Sequence, residues 1–256
     1  MGDNRKMELP LYSNKLNVKK FENLLSNNDQ GYKFFWLEAI MKLIPNGNDL
    51  FTFEDVINEM IVSAWKTVTH AVEFIAETQK LKMDAFYEMF EKYIRPGNMI
   101  LDLGSGSGRD SKYFHDRGYE VVAIDPSLAM CSATKKYAGV EVINCKANEI
   151  EWVDYFDGIW ASASLLHVPY AEMKATLYTV MRALKPNGIM YFSVKKGQTQ
   201  RLDEGRLYTD YSENSITELL TGLDIVQIEH IWESNDVRNQ DKKWINVLVK
   251  RKKNDK

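Results

Sequence analysis

Cysteine is scarce in this chain of 256 residues, and long apolar runs and a large excess of one charge sign are missing. Its only two cysteines, Cys131 and Cys145, exclude a disulfide framework and lack the spacing of a zinc site, so we expect no metal. No uncharged apolar run approaches the ~20 residues that a membrane helix needs. The first residues, Met-Gly-Asp-Asn-Arg-Lys, lack the apolar core of a secretion signal. We therefore expect a soluble, cytoplasmic protein with no membrane partner.

The charge balance excludes a strongly basic nucleic-acid-binding protein. Lysine and arginine total 33 against 36 aspartate and glutamate residues, which gives a net charge of -3. No bulk positive field results, so a nucleic-acid partner stays open without being favoured. Hydrophobic residues make up 45% and charged residues 27% of the chain, values typical of globular domains rather than of disordered chains. The length allows one large domain, or one domain with a small extra piece.

Residues 1–30 are polar, and apolar residues at helical spacing follow them up to about residue 93. Steps of three and four residues predict two amphipathic helices joined by a short loop within residues 31–66. A third helical stretch is predicted over residues 71–93. We assign residues 1–66 to a helical N-terminal extension and residues 67–256 to the main domain.

Beyond residue 98 the pattern changes to short apolar runs that alternate with helical stretches. The predicted strands of this type are Met99–Leu103, Glu120–Ile124, Val140–Asn144, Gly158–Ala161 and Ile189–Val194. The helices between them are predicted near 109–117, 127–138 and 170–184. This alternation indicates an α/β fold with a parallel sheet buried on both faces. Two final runs, 225–232 and 244–249, are joined by a polar loop and predict an antiparallel pair that closes the sheet.

A glycine-rich turn at the end of the first parallel strand carries the chemistry. Gly104, Gly106 and Gly108 lie between this strand and a predicted helix, where free backbone N–H groups can face a ligand. Their GxGxG spacing is not the GxGxxG of dinucleotide-binding folds. Asp102 would repel a pyrophosphate but can hold a cationic amine, and Asp125 can accept hydrogen bonds from ribose hydroxyls. An amine-bearing nucleoside without phosphates therefore fits better than NAD.

These motifs resemble those of a known enzyme family. Asp-Leu-Gly-Ser-Gly-Ser-Gly at 102–108 and Ala-Ile-Asp-Pro-Ser at 123–127 are similar to motifs of class I S-adenosylmethionine-dependent methyltransferases. Residues 155–169 resemble the family's fourth-strand motif, and residues 184–191 resemble its approach to the fifth strand. The last strand resembles that of small bacterial members, some of them tellurite-resistance-related. The resemblance covers about residues 71–251. It implies a Rossmann-like, seven-stranded, mostly parallel sheet with an antiparallel last strand, and S-adenosyl-L-methionine as cofactor.

The resemblance also implies a set of cofactor contacts, carried over residue by residue. They are Asp102, Gly104, Ser105, Gly106, Gly108, Asp125, Pro126, Met130, Ala147, Asn148, Glu149, Ala161 and Ser162. Those up to residue 108 would hold the methionine part, and Asp125 would bind the ribose. Residues 126–149 would surround the adenine, although Lys146-Ala-Asn-Glu lacks the aspartate common in the family. Ala161 and Ser162 would line the methyl-donor end.

Three further residues are candidates for work on the methyl acceptor. Methyl transfer is an in-line displacement, so a general base is needed only if the acceptor loses a proton. His167 follows the fourth strand and has a pKa suited to that role, although capping the next helix is an alternative. Arg206 and Tyr208 lie in the segment after the fifth strand, where loops commonly cover a substrate. Packing is an equal alternative for Tyr208.

The N-terminal helices carry a second resemblance. Residues 32–44 and 51–65 are similar to the helical segment that precedes HNH nuclease domains in some bacterial proteins, but the HNH residues themselves are absent. This resemblance implies a fused accessory module. An ordinary helical cap over the cofactor cleft is an equal alternative.

The sequence thus predicts a methyltransferase that acts on a small-molecule substrate. The alternatives are a macromolecular acceptor, nucleic acid or protein, docked by residues 1–66, and a cofactor-binding protein without turnover. The chain lacks the Asp/Asn-Pro-Pro-Tyr/Phe motif and the Pro-Cys nucleophile of DNA methyltransferases. An NAD oxidoreductase is disfavoured by the glycine spacing.

Overall fold

The computed structural model describes residues 6–7, 39–40, 42–43, 51–203 and 206–253. By packing, the chain divides into two compact units, Met1–Phe74 and Ile75–Lys256. Within the described part of the chain, no helix combines the length and apolar character needed to cross a membrane.

The first unit is described in short pieces. Strands β1 (Lys6–Met7) and β2 (Phe51–Thr52) pair antiparallel, and helix α1 (Phe53–Thr78) follows directly. Residues 39–40 and 42–43 are helical, and Ala39 and Ile40 form a small buried cluster with Val56. The rest of the predicted first helix lies outside the described residues. The domain boundary after residue 66 falls inside α1 and stays a prediction.

One predicted helix is wrong in its extent. The helical stretch expected over 71–93 is split, because α1 ends at Thr78 and a separate helix, α2 (Asp84–Glu91), begins six residues later. The interruption coincides with tertiary contacts, since the Gln79 amide donates to the Ser107 carbonyl at 2.9 Å. The turn also allows Tyr87 and Phe90 of α2 to be buried. Packing therefore overrides the local helical pattern at this point.

The second unit is a seven-stranded sheet with helices on both faces. Its strands are β3 (Met99–Leu103), β4 (Glu120–Ile124), β5 (Glu141–Ile143), β6 (Phe156–Ala161), β7 (Leu184–Lys195), β10 (Val226–Asn235) and β11 (Lys243–Arg251). They lie in the order β10-β11-β7-β6-β3-β4-β5. Strands β3 to β7 are parallel, whereas β11 pairs antiparallel with both β7 and β10. The predicted Rossmann-like fold class is confirmed.

The remaining elements connect and cover this sheet. The helices are α3 (Arg109–Asp116), α4 (Leu128–Ala138), a 3-10 turn at Leu165–His167, α5 (Tyr170–Ala183) and α6 (Glu213–Thr221). Strands β8 (Gln200–Asp203) and β9 (Arg206–Thr209) form an antiparallel hairpin where the sequence indicated only a loop. Strand β7 also begins five residues earlier than predicted, with a register irregularity against β6.

Alternating side chains of the central strands fill two cores, one on each face of the sheet. Leu101, Ile159 and Met190 are buried on one face, together with Leu177 of α5. Ile100, Trp160 and Tyr191 are buried on the other face, together with Phe90 and Phe114 from α2 and α3. Each such side chain contributes about 1.5–3 kcal/mol through burial. This burial fixes β3, β4 and β6 side by side, so the segments that follow them meet at one edge.

A buried carboxylate joins α2, α3 and β6. Arg109 donates to both oxygens of Asp110, from Nε at 2.6 Å and from Nη2 at 2.8 Å. Trp160 Nε1 donates to the same carboxylate at 2.9 Å, and the Tyr87 hydroxyl also donates to it. Burial opposes the charged form, but the Arg109 guanidinium and these donors hold the pKa of Asp110 below its usual range. The group therefore stabilises the fold as a paired charge.

We expect Asp110→Asn to lower the free energy of unfolding by about 3 kcal/mol, because Arg109 would keep a largely buried charge without its counterion. Urea denaturation measures this change. Asp116→Asn, at the exposed end of the same helix, is the matched control and should cost at most about 1 kcal/mol. Equal losses in the two variants would contradict the stabilising role of the buried pair.

Candidate functional site

The glycine turn adopts a conformation that only glycine tolerates well. Gly104, Gly106 and Gly108 have φ values of 80°, 53° and 80°, all in the left-handed region. A Cβ atom on Gly104 would lie 2.4 Å from Ser164 Cβ, and one on Gly108 would lie 2.8 Å from Thr134 Cα. At Gly106 the nearest atom is 4.0 Å away, so this glycine faces open space. Two glycines thus allow tight packing, and the third leaves room for a ligand.

Backbone and side-chain hydrogen bonds hold the turn in place. The N–H groups of Gly104 and Ser105 donate to the Ile124 carbonyl at 2.8 and 3.0 Å. The Ser105 hydroxyl shares a hydrogen bond with Thr134 Oγ1 at 3.0 Å and is buried. The N–H group and the hydroxyl of Ser105 are therefore both engaged within the protein, and its contact with a cofactor stays a prediction.

Asp125 is held at the mouth of the turn, directly after β4. Its Oδ2 accepts from the Gly106 N–H at 2.9 Å, and its Oδ1 accepts from the Ser127 N–H at 2.8 Å. Each oxygen keeps a lone pair for a further donor. Burial raises the pKa of Asp125, while these N–H groups and the positive charge of Arg206 act in the opposite direction. Both carboxylate oxygens are thus fixed in position and keep the capacity to accept further hydrogen bonds.

Asp102 lies deeper, under the glycine turn. It is buried, and one of its oxygens accepts from the Ser111 hydroxyl at 2.5 Å. Burial, and then the nearby Asp110 carboxylate, raise the pKa of Asp102 well above its usual range. A cation close to this edge would favour the ionised form. The predicted contact with a ligand amine is consistent with that electrostatic environment and stays a prediction.

A cavity of about 350 Å³ opens beside the turn. It brings together four of the predicted contacts, which are Gly104, Pro126, Ala147 and Asn148, and adds the predicted base His167. Apolar side chains that the sequence did not single out, among them Leu103, Leu165 and Val168, also line it. A mostly apolar wall with a few polar groups is typical of small-molecule sites. Leu165 and Val168 belong to the motif at 155–169, but only the 3-10 turn directs them to the cavity.

The other nine of the thirteen predicted contacts do not line this cavity, among them Asp102, Asp125 and three residues of the glycine turn. Ala161 is fully buried in the core, and Ser162 and Met130 are half-buried. Glu149 is exposed and accepts from the Lys146 N–H at 2.8 Å, which closes a local turn. The assignments of these residues to a cofactor stay predictions.

A strained residue directs the chain after β6 toward the site. Ala163 has a φ of 52°, which costs a non-glycine residue about 1 kcal/mol, and its N–H donates to Ser193 Oγ at 2.9 Å. The 3-10 turn follows at once, with Ser164 packed against Gly104. Strain of this kind is common at ligand sites. Here it places Leu165 and His167 against the cavity.

His167 is held in one tautomer by the β8–β9 hairpin. Its Nδ1 lies 2.7 Å from the Leu207 carbonyl oxygen. Because a carbonyl oxygen can only accept a hydrogen bond, Nδ1 carries the proton, and Nε2 of the neutral ring keeps its lone pair. The ring makes an edge contact with Tyr208, at 5.0 Å between centroids. Desolvation lowers the pKa of His167, and the charges of Arg206 and Lys195 lower it further. All three predicted acceptor-side residues therefore lie at the same edge of the sheet.

Comparison with known proteins supports the resemblance seen in the sequence. Residues 100–188 match the model of the family described as a methyltransferase domain. A demethylmenaquinone methyltransferase from Renibacterium salmoninarum is 34% identical over 95 residues, which make up 36% of this chain and 39% of that protein. The first curated relatives are matched over 39–57% of their own length.

Solved structures show the same fold. The Burkholderia thailandensis 1,6-didemethyltoxoflavin-N1-methyltransferase, with bound 1,6-didemethyltoxoflavin and S-adenosylhomocysteine, has a TM-score of 0.59 at 19% identity, covering 74% of this chain and 90% of that one. The [4+2]-cyclase SpnF has a TM-score of 0.59 at 14% identity, covering 75% and 95%. The fold alone therefore does not specify the reaction.

We expect Gly104→Ala to lower the free energy of unfolding by about 2–4 kcal/mol, because left-handed strain adds to the overlap with Ser164. Gly97→Ala is the matched control, since Gly97 has a φ of 87° but no atom within 4 Å of an added Cβ. It should cost only the conformational strain, about 1 kcal/mol. Thermal or urea denaturation compares the two. The same loss in both variants would show that the contact with Ser164 is not tight.

Proposed function

We propose that this protein is an S-adenosylmethionine-dependent methyltransferase that acts on a small molecule. The observation that carries the proposal is the Asp125 carboxylate, fixed by the Gly106 and Ser127 N–H groups beside an open glycine turn. Its position at the end of β4 suits the two hydroxyls of a ribose. The match of residues 100–188 to the methyltransferase-domain family supports the same reading.

The residues around the turn fit the proposed cofactor. Asp125 would hold the ribose, and Pro126, Ala147 and Leu165 would enclose the adenine in the apolar part of the cavity. Asp102 and the backbone of residues 104–108 would hold the cationic amino-acid end, because the buried carboxylates there favour positive charge. The cofactor supplies an activated methyl group on a sulfonium sulfur. Phosphates would meet these same carboxylates, which argues against NAD.

The residues of the protein would bind the acceptor, align it and accept its proton. His167 is the proposed base, because its Nε2 lone pair is free while Nδ1 is fixed by Leu207. Tyr208 packs against this ring and Arg206 lies close by on the same hairpin, so both are proposed to contact the acceptor. A small-molecule acceptor is supported by relatives named for demethylmenaquinone and 1,6-didemethyltoxoflavin.

Calorimetry with S-adenosylmethionine, S-adenosylhomocysteine and NAD tests the cofactor, and release of S-adenosylhomocysteine with an acceptor panel tests transfer. We expect the first two ligands to bind and NAD not to bind. Binding of NAD alone would overturn the proposal. Cofactor binding without turnover of any small molecule, but with turnover of nucleic acid or protein, would replace the proposed acceptor class.

We expect Asp125→Ala to weaken S-adenosylmethionine binding at least tenfold, about 1.4 kcal/mol, because two hydroxyl contacts to a carboxylate are lost. Calorimetry measures the affinity, and a melting curve confirms that the variant is folded. Asp224→Ala, an exposed aspartate before β10, is the control and should bind normally. Unchanged affinity in Asp125→Ala would remove the ribose assignment.

We expect kcat/KM for an acceptor that must lose a proton to fall at acidic pH, with a midpoint below the usual histidine value of about 6.5. Desolvation and the neighbouring cations lower the pKa of His167, so its basic form persists to lower pH. His167→Gln should remove this acidic limb of the pH profile, the fall in kcat/KM at low pH, and should reduce the rate about 100-fold. His115→Gln, on the exposed surface of α3, should change neither. Persistence of the acidic limb in His167→Gln would exclude this base.

A further inference from the structure

The β8–β9 hairpin runs from the end of β7 to the cofactor cavity. At its base the Gly197 N–H donates to the Tyr211 carbonyl at 3.0 Å, and the Tyr211 N–H donates to the Lys195 carbonyl at 2.9 Å. Farther along, its Leu207 carbonyl accepts from His167, which lines the cavity. The hairpin therefore spans the sheet edge between β7 and the proposed methyl-transfer site. Side chains that face this site are placed to contact an acceptor.

Lys195 stands out among the cations of this region. It is the last residue of β7, it is half-buried, and its Nζ lies 4.2 Å from the centre of the Tyr208 ring. Within residues 51–203 and 206–253, no carboxylate forms an ion pair with it. Two neighbouring cations are paired, Lys196 with Glu233 and Arg201 with Asp210. A half-buried ammonium held only by an aromatic face is open to an anionic ligand.

The charges around Lys195 do not neutralise it. Asp210 is nearby, and its Oδ2 accepts from Thr199 at 3.0 Å and from Arg201, whereas its buried Oδ1 has no hydrogen-bond partner among the described residues, Lys195 included. Asp236 is also nearby, and its two oxygens accept from Trp244 Nε1 at 2.9 Å and from the Arg238 N–H at 2.8 Å. Burial lowers the pKa of Lys195, and the positive charges of Arg201 and Lys242 lower it further. The ammonium would therefore be stabilised by an incoming anion.

We propose that Lys195, packed on Tyr208, binds an anionic group of the methyl acceptor, a carboxylate or a phosphate. The inference rests on the proposed function and narrows its substrate class. The position suits this role because β7 pairs with β6, with Phe192 opposite Ala161 at the strand end assigned to the methyl donor. Lys195 lies three residues beyond that pair. It would hold the acceptor's charge at the far side of His167 and leave a neighbouring atom of the acceptor free for methylation.

Ligand-observed NMR on the full chain, with and without saturating S-adenosylhomocysteine, tests this site directly. The probes are benzoate, phenyl phosphate and the neutral isostere benzamide. We expect at least one anion to bind at least tenfold more tightly than benzamide, and the better of the two identifies the acid class. Lys195→Gln should weaken that anion at least fivefold, whereas Lys195→Arg should retain it because the charge is kept. Lys196→Gln, at the next residue but paired with Glu233, is the matched control and should bind normally.

The possible results separate the two proposals. Equal binding of benzamide and the anions, no binding up to about 10 mM, or an equal loss in Lys195→Gln and Lys196→Gln would overturn the anion site. S-adenosylhomocysteine binding in the same samples would leave the methyltransferase proposal intact in those cases. Anion selectivity that depends on Lys195, in a protein without affinity for S-adenosylhomocysteine, would support the anion site and overturn the methyltransferase proposal. Melting curves of each variant exclude loss of folding as the cause.

Discussion

Close backbone packing around the glycine turn constrains the whole site. Hydrogen atoms at Gly104 and Gly108 allow the segment after β6 and helix α4 to approach more closely than any side chain would permit. That approach fixes the ends of β3 and β6 relative to each other, and the Ile124 carbonyl fixes β4 to the same turn. The cavity, Asp125 and His167 are positioned as a consequence. The site is thus built on rigid strand ends rather than on independent loops.

The electrostatic character changes across this edge of the sheet. Three carboxylates, Asp102, Asp110 and Asp125, lie around the glycine turn, and Arg109 compensates mainly Asp110. On the hairpin side, Lys195 and Arg206 add positive charge next to His167. A cationic methyl donor and an anionic acceptor would each meet charge of opposite sign. The same arrangement would repel the phosphates of a dinucleotide from the glycine turn.

Shared fold does not decide the chemistry of this chain. Its sheet and helices match both a methyltransferase and a cyclase among solved structures. Side chains at the carboxyl ends of the strands distinguish one activity from another, because small changes in the loops there alter which acceptor is bound. For this protein the side chains proposed to contact the acceptor come chiefly from the 3-10 turn after β6 and from the β8–β9 hairpin. The proposed cofactor contacts and the proposed acceptor contacts therefore come from different parts of the structure.

The sequence by itself determined the architecture and indicated the sheet edge proposed to bind a ligand. Strands β3 and β4 match their predicted bounds residue for residue, because apolar runs between glycine turns and helices are local signals. The glycine motif likewise indicated a ligand turn. Tertiary structure alone decided the break between α1 and α2, the hairpin, and the tautomer of His167, whose partner Leu207 is 40 residues away. It also decided that Lys195 has no carboxylate partner within the described residues. These features depend on contacts between distant segments, which residue periodicity does not encode.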